Sequence, residues 1–229
     1  MKIDDGSWSL SAAEAGRAQQ RPEAFGTRGM VASAHPAAAF IGLSIMQRGG
    51  NAFDAAIAVA AAEGVLLPMK CGLGGDAFVV AHDARKGETM SFNGSGVCAS
   101  GVDAEYYRSR GHKSMPLDGV HSASVPGALS VYEALWKRYG TLEWAELWAP
   151  AIRLAEDGVA ITDYISRRFA DTAETLARYQ HSAAQFLPKG RAPTPGERGP
   201  VRGLARLLRR NPTDADRALW EALTREACI

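Results

Sequence analysis

Residues 30–78 read MVASAHPAAAFIGLSIMQRGGNAFDAAIAVAAAEGVLLPMKCGLGGDAF, and this stretch decides the fold. Pro36 stands where a helix opens, because its fixed φ suits the first turn. Ala37, Phe40, Ile41, Ser44 and Ile45 follow at helical spacing. The pair Gly49-Gly50 ends that helix, since glycine takes the left-handed C-terminal position without steric penalty. Asn51 is placed to cap a second helix over 52–66, with Asp54 in its first turn at the positive end of the dipole. That helix is almost all Ala, Ile and Val. Being apolar on nearly every side, it reads as buried in a core, where small side chains allow neighbours to approach closely. Pro68 stops it.

Working outward, the glycine-rich run 71–75 leads into a strand-like run, Phe78-Val-Val-Ala-His. Lys86-Gly87 reads as a turn, and 88–92 as the returning strand of a hairpin. Two helices followed by a strand pair suggest helices layered on a sheet. Further helices are expected over 102–110, 128–137, about 144–158 and 163–179, with Ser124-Val-Pro-Gly127 opening the second of these. Four prolines and three glycines between 188 and 200 read as a linker. A last helix pair is expected over 202–210 and 213–226, with Thr213 as a cap. Residues 1–28 are polar and aperiodic, and read as a loosely ordered lead-in.

Composition narrows the function classes. The 229 residues are 46% hydrophobic and 22% charged, which excludes disorder over the whole length. The formal net charge is +1, so the chain as a whole is not a polyanion binder. The residues from Pro188 onward carry nine Lys/Arg against five Asp/Glu, so the sign of the charge changes near the tail. Cys71, Cys98 and Cys228 are too far apart for a disulfide framework, and no ligand spacing for zinc exists. No run is long and apolar enough to cross a membrane. The first 16 residues lack the apolar core of a secretory signal, so the chain reads as cytoplasmic as it stands.

Candidate chemistry is sparse. The loop Cys71-Gly72-Leu73-Gly74-Gly75 offers backbone N–H groups for a phosphate, but it lacks the Lys-Ser/Thr of a P-loop and enters a strand instead of a helix. Close backbone packing at the start of a strand is the plainer reading. Asn93-Gly94-Ser95-Gly96 ends the hairpin with an amide, a hydroxyl and backbone N–H groups at a sheet edge. It reads either as a binding site or as a tight turn. Ser124 has no nucleophile elbow and reads as a helix start. Cys71 and Cys98 have no local activating group and read as buried packing residues.

Taken together, MVAS-x-HP, RGGNA-x-DAA and GLGGDAF, in this order and spacing, resemble the start of the large subunit of the gamma-glutamyltransferase family. SVPG at 124–127, RYGTL at 138–142, AIRLAEDG at 151–158 and FLPKGRAPTPGE at 186–197 extend the resemblance over about residues 28–197. It implies an α+β architecture: part of an αββα N-terminal-nucleophile hydrolase fold, helix-rich, with a small antiparallel strand set. Such proteins are made as precursors that cut themselves. A threonine at the new N-terminus of the small subunit attacks a gamma-glutamyl amide, its own amine serving as base, and passes the acyl group to water or an amine.

No threonine here matches that motif, so no catalytic residue is assigned, and by the resemblance the chain is a large-subunit fragment inert alone. No cofactor and no metal are implied. Expected partners are the missing small subunit or a second copy, with a gamma-glutamyl or other amide substrate once the enzyme is complete. No membrane is expected, and nucleic acid enters only in an alternative reading, in which the basic tail makes the chain DNA-associated. Family members carry an arginine after the glycine-rich loop to hold the substrate's α-carboxylate. Asn93 occupies that place here, which points toward acylase-like substrates, and Asn93, Gly94 and Ser95 are the expected substrate-binding residues. The expected divisions are a lead-in over 1–27, the transferase-like segment over 28–197 and a basic helical tail over 198–229. Residues 206–223 of that tail resemble the opening helices of proteins related to very-short-patch-repair endonucleases, and a fused fragment would account for them.

Overall fold

The computed structural model describes residues 2–4, 7–9, 23–98 and 100–199. The chain divides into two compact units, Met1–Met30 and Val31–Ile229. The first contains two short antiparallel strands, β1 (Lys2–Asp4) and β2 (Ser7–Ser9), with Ile3 opposite Trp8. Strands there depart from the loosely ordered lead-in expected. Three-residue strands are too short for alternation to register as a pattern.

In the second unit the element order is α1 (Pro36–Gln47), α2 (Ala52–Leu66), β3 (Ala77–Asp83), β4 (Glu88–Gly94), α3 (Ala104–Ser109), α4 (Ala128–Tyr139), α5 (Trp144–Asp157), α6 (Asp163–Ala177) and α7 (Gln180–Phe186). Helix α1 opens as expected with Pro36 in its first turn, and His35 caps it, its Nδ1 accepting from Ala37 N at 3.2 Å. Burial holds the His35 pKa below its ordinary value, with Glu63 acting in the opposite direction, and so favours the neutral ring that can accept. Gly49 then turns the chain at φ 98°. Asn51 and Asp54 form a reciprocal capping box at the start of α2.

Helix α2 is the centre of the core. Ala55, Ile57, Ala58, Ala61, Ala62, Val65 and Leu66 are all buried, and α1, α4 and α5 pack around it. Gly42 of α1 leaves room for the Val59 and Val31 side chains, since a Cβ there would lie 2.7 Å from Val59 and 3.0 Å from Val31. Phe40, placed on the same face by spacing alone, is exposed; Ala38, Ile41, Gly42 and Ile45 carry the contact instead.

The capping box also reaches across the fold. Asp54 is fully buried and accepts from Asn51 N at 3.0 Å, Thr141 N at 3.1 Å and Thr141 Oγ1 at 2.5 Å. Asn51 Nδ2 donates to the Tyr139 carbonyl at 2.6 Å. The GGNA-x-D and RYGTL motifs are thus two halves of one clasp, which holds the α4–α5 turn against the start of α2. Trp136 Nε1 closes the same turn onto Leu142 O at 2.8 Å.

Strands β3 and β4 form an antiparallel pair in which Phe78 faces Asn93 and Ala77 faces Gly94. Ala77, Val79, Met90 and Phe92 turn toward the helices. Helix α6 ends at Ala177, two residues short of the expected end at 179, and α7 follows at 180–186, where no helix was expected. The expected linker also proves ordered as far as Gly199. Leu187, Pro193 and Gly199 are buried, Ala160 bridges Arg198, and Glu197 binds Lys189 Nζ, Arg191 and Thr194 N. Proline and glycine here shape a packed loop. The expected helix pair over 202–210 and 213–226, the Thr213 cap and Cys228 lie outside the described residues.

Candidate functional site

The turn that follows β4 carries the residues singled out in the sequence. Asn93 Oδ1 accepts from Ser95 N at 2.9 Å, a side-chain-to-backbone turn that fixes the amide. Asn93 and Ser95 are exposed. Among the described residues Asn93 Nδ2 has no partner, which leaves a neutral donor at the end of the strand. Gly94 is buried between them. A Cβ at that position would lie 2.3 Å from Val131 and 2.9 Å from Gly127 O, so Gly94 serves close packing against the start of α4.

Two other segments hold this turn. Gly127 N and Ala128 N, the first donors of α4, both point to the Gly75 carbonyl, at 3.1 and 3.0 Å. They would otherwise be unpaired at the helix start. Asp76 Oδ1 accepts from Gly96 N at 2.9 Å and from Ser124 Oγ at 3.1 Å. Val125 N donates to Val97 O at 3.1 Å, and a Cβ on Gly96 would fall only 1.8 Å from Val125 O. Ser124 is therefore tied to Asp76 at the entry to α4. The glycine-rich loop meets the start of α4 through the Gly75 carbonyl, but a Cβ at Gly72 would meet nothing within 4 Å and one at Gly75 only the loop's own Gly72 O at 3.6 Å, so the close packing expected at these glycines is not seen. The contributions of Asp76 and Gly75 were not legible in sequence, because their partners lie far along the chain.

A recess of about 280 Å³ lies between α2, α4 and the start of β3, with Glu63, Cys71, Asp76 and Tyr132 in its lining. Glu63 Oε1 accepts from Ser33 Oγ at 2.5 Å and from Ala34 N at 3.0 Å, and Cys71 Sγ is 3.9 Å from Oε2. Burial, then the charge of Glu63 and the contact with it, push the Cys71 thiol above its ordinary pKa. Burial also raises Tyr132, with Cys71 and Glu63 adding to it. A thiol so shifted remains protonated near neutrality and is a poor nucleophile. Cys71 is half-buried and Cys98 is exposed, so only the first approaches the packing role expected of both. No group of three or more His, Cys, Asp or Glu among the described residues is placed to hold a metal ion. No helix of the described residues is long and apolar enough to cross a membrane.

The family profile of gamma-glutamyltranspeptidase matches residues 38–222, which include α1 through α7 almost entirely. The chain belongs to the gamma-glutamyltranspeptidase family. It is 38% identical over 184 residues to the glutathione hydrolase-like YwrD proenzyme of Bacillus subtilis, covering 80% of this chain and 35% of that one. Among solved structures, the cephalosporin acylase of Bacillus halodurans superposes with a TM-score of 0.82 at 34% identity, covering 95% of this chain and 40% of the acylase. The Helicobacter pylori gamma-glutamyltranspeptidase superposes at 0.79 and 30% identity, covering 85% and 56%.

The chain spans about a third of the length of the curated relatives it matches. The fold is that of N-terminal-nucleophile gamma-glutamyltranspeptidases in part, helix-rich with a two-stranded antiparallel sheet. The family match runs to residue 222 and so takes in most of the stretch that resembles an endonuclease-related segment. That stretch lies outside the described residues.

Proposed function

We propose that this chain supplies the acyl-binding edge of an amide hydrolase or acyltransferase, and that its site accepts a neutral acyl group in preference to gamma-glutamyl. The supporting observation is Asn93. The family resemblance puts an arginine at that position, where a guanidinium pairs in bidentate fashion with a carboxylate. Asn93 offers one uncharged N–H pair, its oxygen being engaged by Ser95 N. Such a group can orient a carbonyl or hydroxyl, but it cannot offset a buried carboxylate. Ser95 stands beside it as a second polar contact. The nucleophile belongs to the threonine-bearing part of the family fold, and no residue of this chain is given that role.

The same reading assigns a partner surface. Phe78 (68% exposed) and Val80 (80% exposed) occupy the face of β3–β4 turned away from the helices. In an αββα fold, this is the face on which a second sheet stacks. The occupant is thus the small-subunit portion of the family fold. The family match through residue 222 favours reading the basic tail as a continuation of this segment over a separate nucleic-acid module.

The test is a chimera. Residues 31–199 replace the matching segment of the 38%-identical Bacillus subtilis relative, and hydrolysis of a gamma-glutamyl anilide is compared with that of an uncharged acyl anilide. The chimera is expected to favour the uncharged substrate. N93R is expected to raise kcat/KM for the gamma-glutamyl substrate by roughly tenfold or more, as a charge-assisted pair allows. An unchanged preference on N93R would overturn the reading.

A further inference from the structure

We propose that Asp76 is a positioning residue for the candidate site, acting through the turn at 95–97 and not by touching substrate. The proposal rests on the reading of Asn93 and Ser95 as the substrate-facing residues. Strand β4 ends at Gly94, so nothing in the ladder holds the residues beyond it. The Asn93 backbone lies in the ladder opposite Phe78, but among the described residues its side chain is held through Ser95 N, which is fixed only as well as its neighbours are. On one side Gly94 is wedged against Val131 and Gly127. On the other, Gly96 N is held by Asp76 Oδ1.

The same oxygen receives Ser124 Oγ, and the preceding carbonyl, that of Gly75, receives the first two donors of α4. Residues 75 and 76 therefore anchor both the turn and the helix start on which it rests. The backbone contact between Gly96 and Val125 leaves no room for a side chain, so the turn cannot be held by packing of its own residue. The Val125 N–Val97 O bond ties the far end of the turn, and the Asp76 carboxylate, accepting two bonds, ties its middle at Gly96 N; charge-assisted bonds are the stronger kind. If the turn is released, Ser95 N loses its fixed direction and Asn93 Nδ2 swings away from the carbonyl it would orient. A displacement of about 1 Å at such a group is enough to weaken productive binding.

The predicted signature separates positioning from general stability. D76A removes the acceptor of both bonds, whereas D76N keeps an amide oxygen in the same place. In the 229-residue chain, the Gly96 amide proton resonance is expected to move upfield in D76A and to stay near its wild-type position in D76N, with the Ala128 amide little changed in either. In the chimera, D76A is expected to raise KM for the uncharged acyl anilide about tenfold with kcat within twofold, and D76N to restore it. N93A serves as reference. If N93A raises KM and D76A does not, Asp76 positions nothing and only this proposal falls. If N93A leaves KM unchanged, the site reading fails and takes this proposal with it. An unmoved Gly96 resonance in D76A overturns the latch itself. If D76A fails to fold, D76S, whose side chain is too short to reach Gly96 N, provides the same comparison, and no change in KM there counts against the proposal.

Discussion

Helix α2 and strand β3 are built from nearly the same residues, Ala-Ile-Ala-Val-Ala-Ala at 56–61 and Ala-Phe-Val-Val-Ala at 77–81, yet their surroundings differ. The helix is enclosed by α1, α4 and α5, and even its aspartate is fully buried. The strand is covered on one face, and Phe78 and Val80 stand open on the other. A helix presents its side chains all round and here meets neighbours on most sides, with Ala52 and Ala56 left exposed. A strand has two faces, and each needs a layer of its own. Apolar content thus states that a surface seeks cover. It does not state which element provides it.

The sharpest way to break this comparison is through the enclosed side. D54A leaves Asn51 N, Thr141 N and Thr141 Oγ1 without their acceptor inside the core. It is expected to cost about 3 kcal/mol or more in a urea titration, with an unchanged slope. A loss below about 0.5 kcal/mol would mean that the clasp between the two motifs is not a stability element.

The open side should behave oppositely. F78S/V80S is expected to leave the unfolding free energy from a urea titration within about 0.5 kcal/mol of wild type, since both side chains already face solvent. The same variant should lower self-association in light scattering and weaken capture by a co-expressed small-subunit segment. A large loss of stability without any change in association would show that this face is covered from within the chain.

The smallest effect is expected at the packed loop beyond both regions. The guanidinium of Arg191, then Lys189 and the Thr194 N–H, hold the Glu197 carboxyl well below the usual carboxylate range. A carboxyl depressed in this way contributes fully above the pH at which an unfolded glutamate ionises, about 4.3, and its contribution fades as the pH falls further toward the folded value. E197Q should therefore speed proteolysis between residues 187 and 199 at neutral pH, and the difference from wild type should shrink below about pH 4. A difference constant down to pH 2 would show that the charge on Glu197 does not hold the loop.

How much was legible follows from the range of each interaction. Pro36, Gly49 and Asn51 act within one turn of their own helices, and all three lie where the sequence placed them. The hairpin was legible because Lys86-Gly87 closes it locally, with Gly87 at φ 67°. Asn93 and Ser95 were legible as residue types at a sheet edge. The roles of Gly94 as a packing contact and Asp76 as an anchor were not, because residues 124–131 complete both from far along the chain. Phe40 was misplaced because helical spacing defines a stripe and not which neighbours line it. Helix α7 was missed because Gln180, His181 and Ser182 show no apolar period, and its packing rests on the contact of Phe186 with Phe169, with ring centroids 5.7 Å apart.

The sequence by itself determined the starts of α1 and α2, the hairpin and membership of the family, since these rest on dihedral preferences, caps and motif order within short windows. Only the tertiary structure decided that Asp54 belongs to Thr141, that Asp76 holds the turn at 95–97, and that one face of β3–β4 is open. Each of these depends on which distant segment fills the space beside a side chain, and neither local propensity nor hydrophobic period encodes that choice.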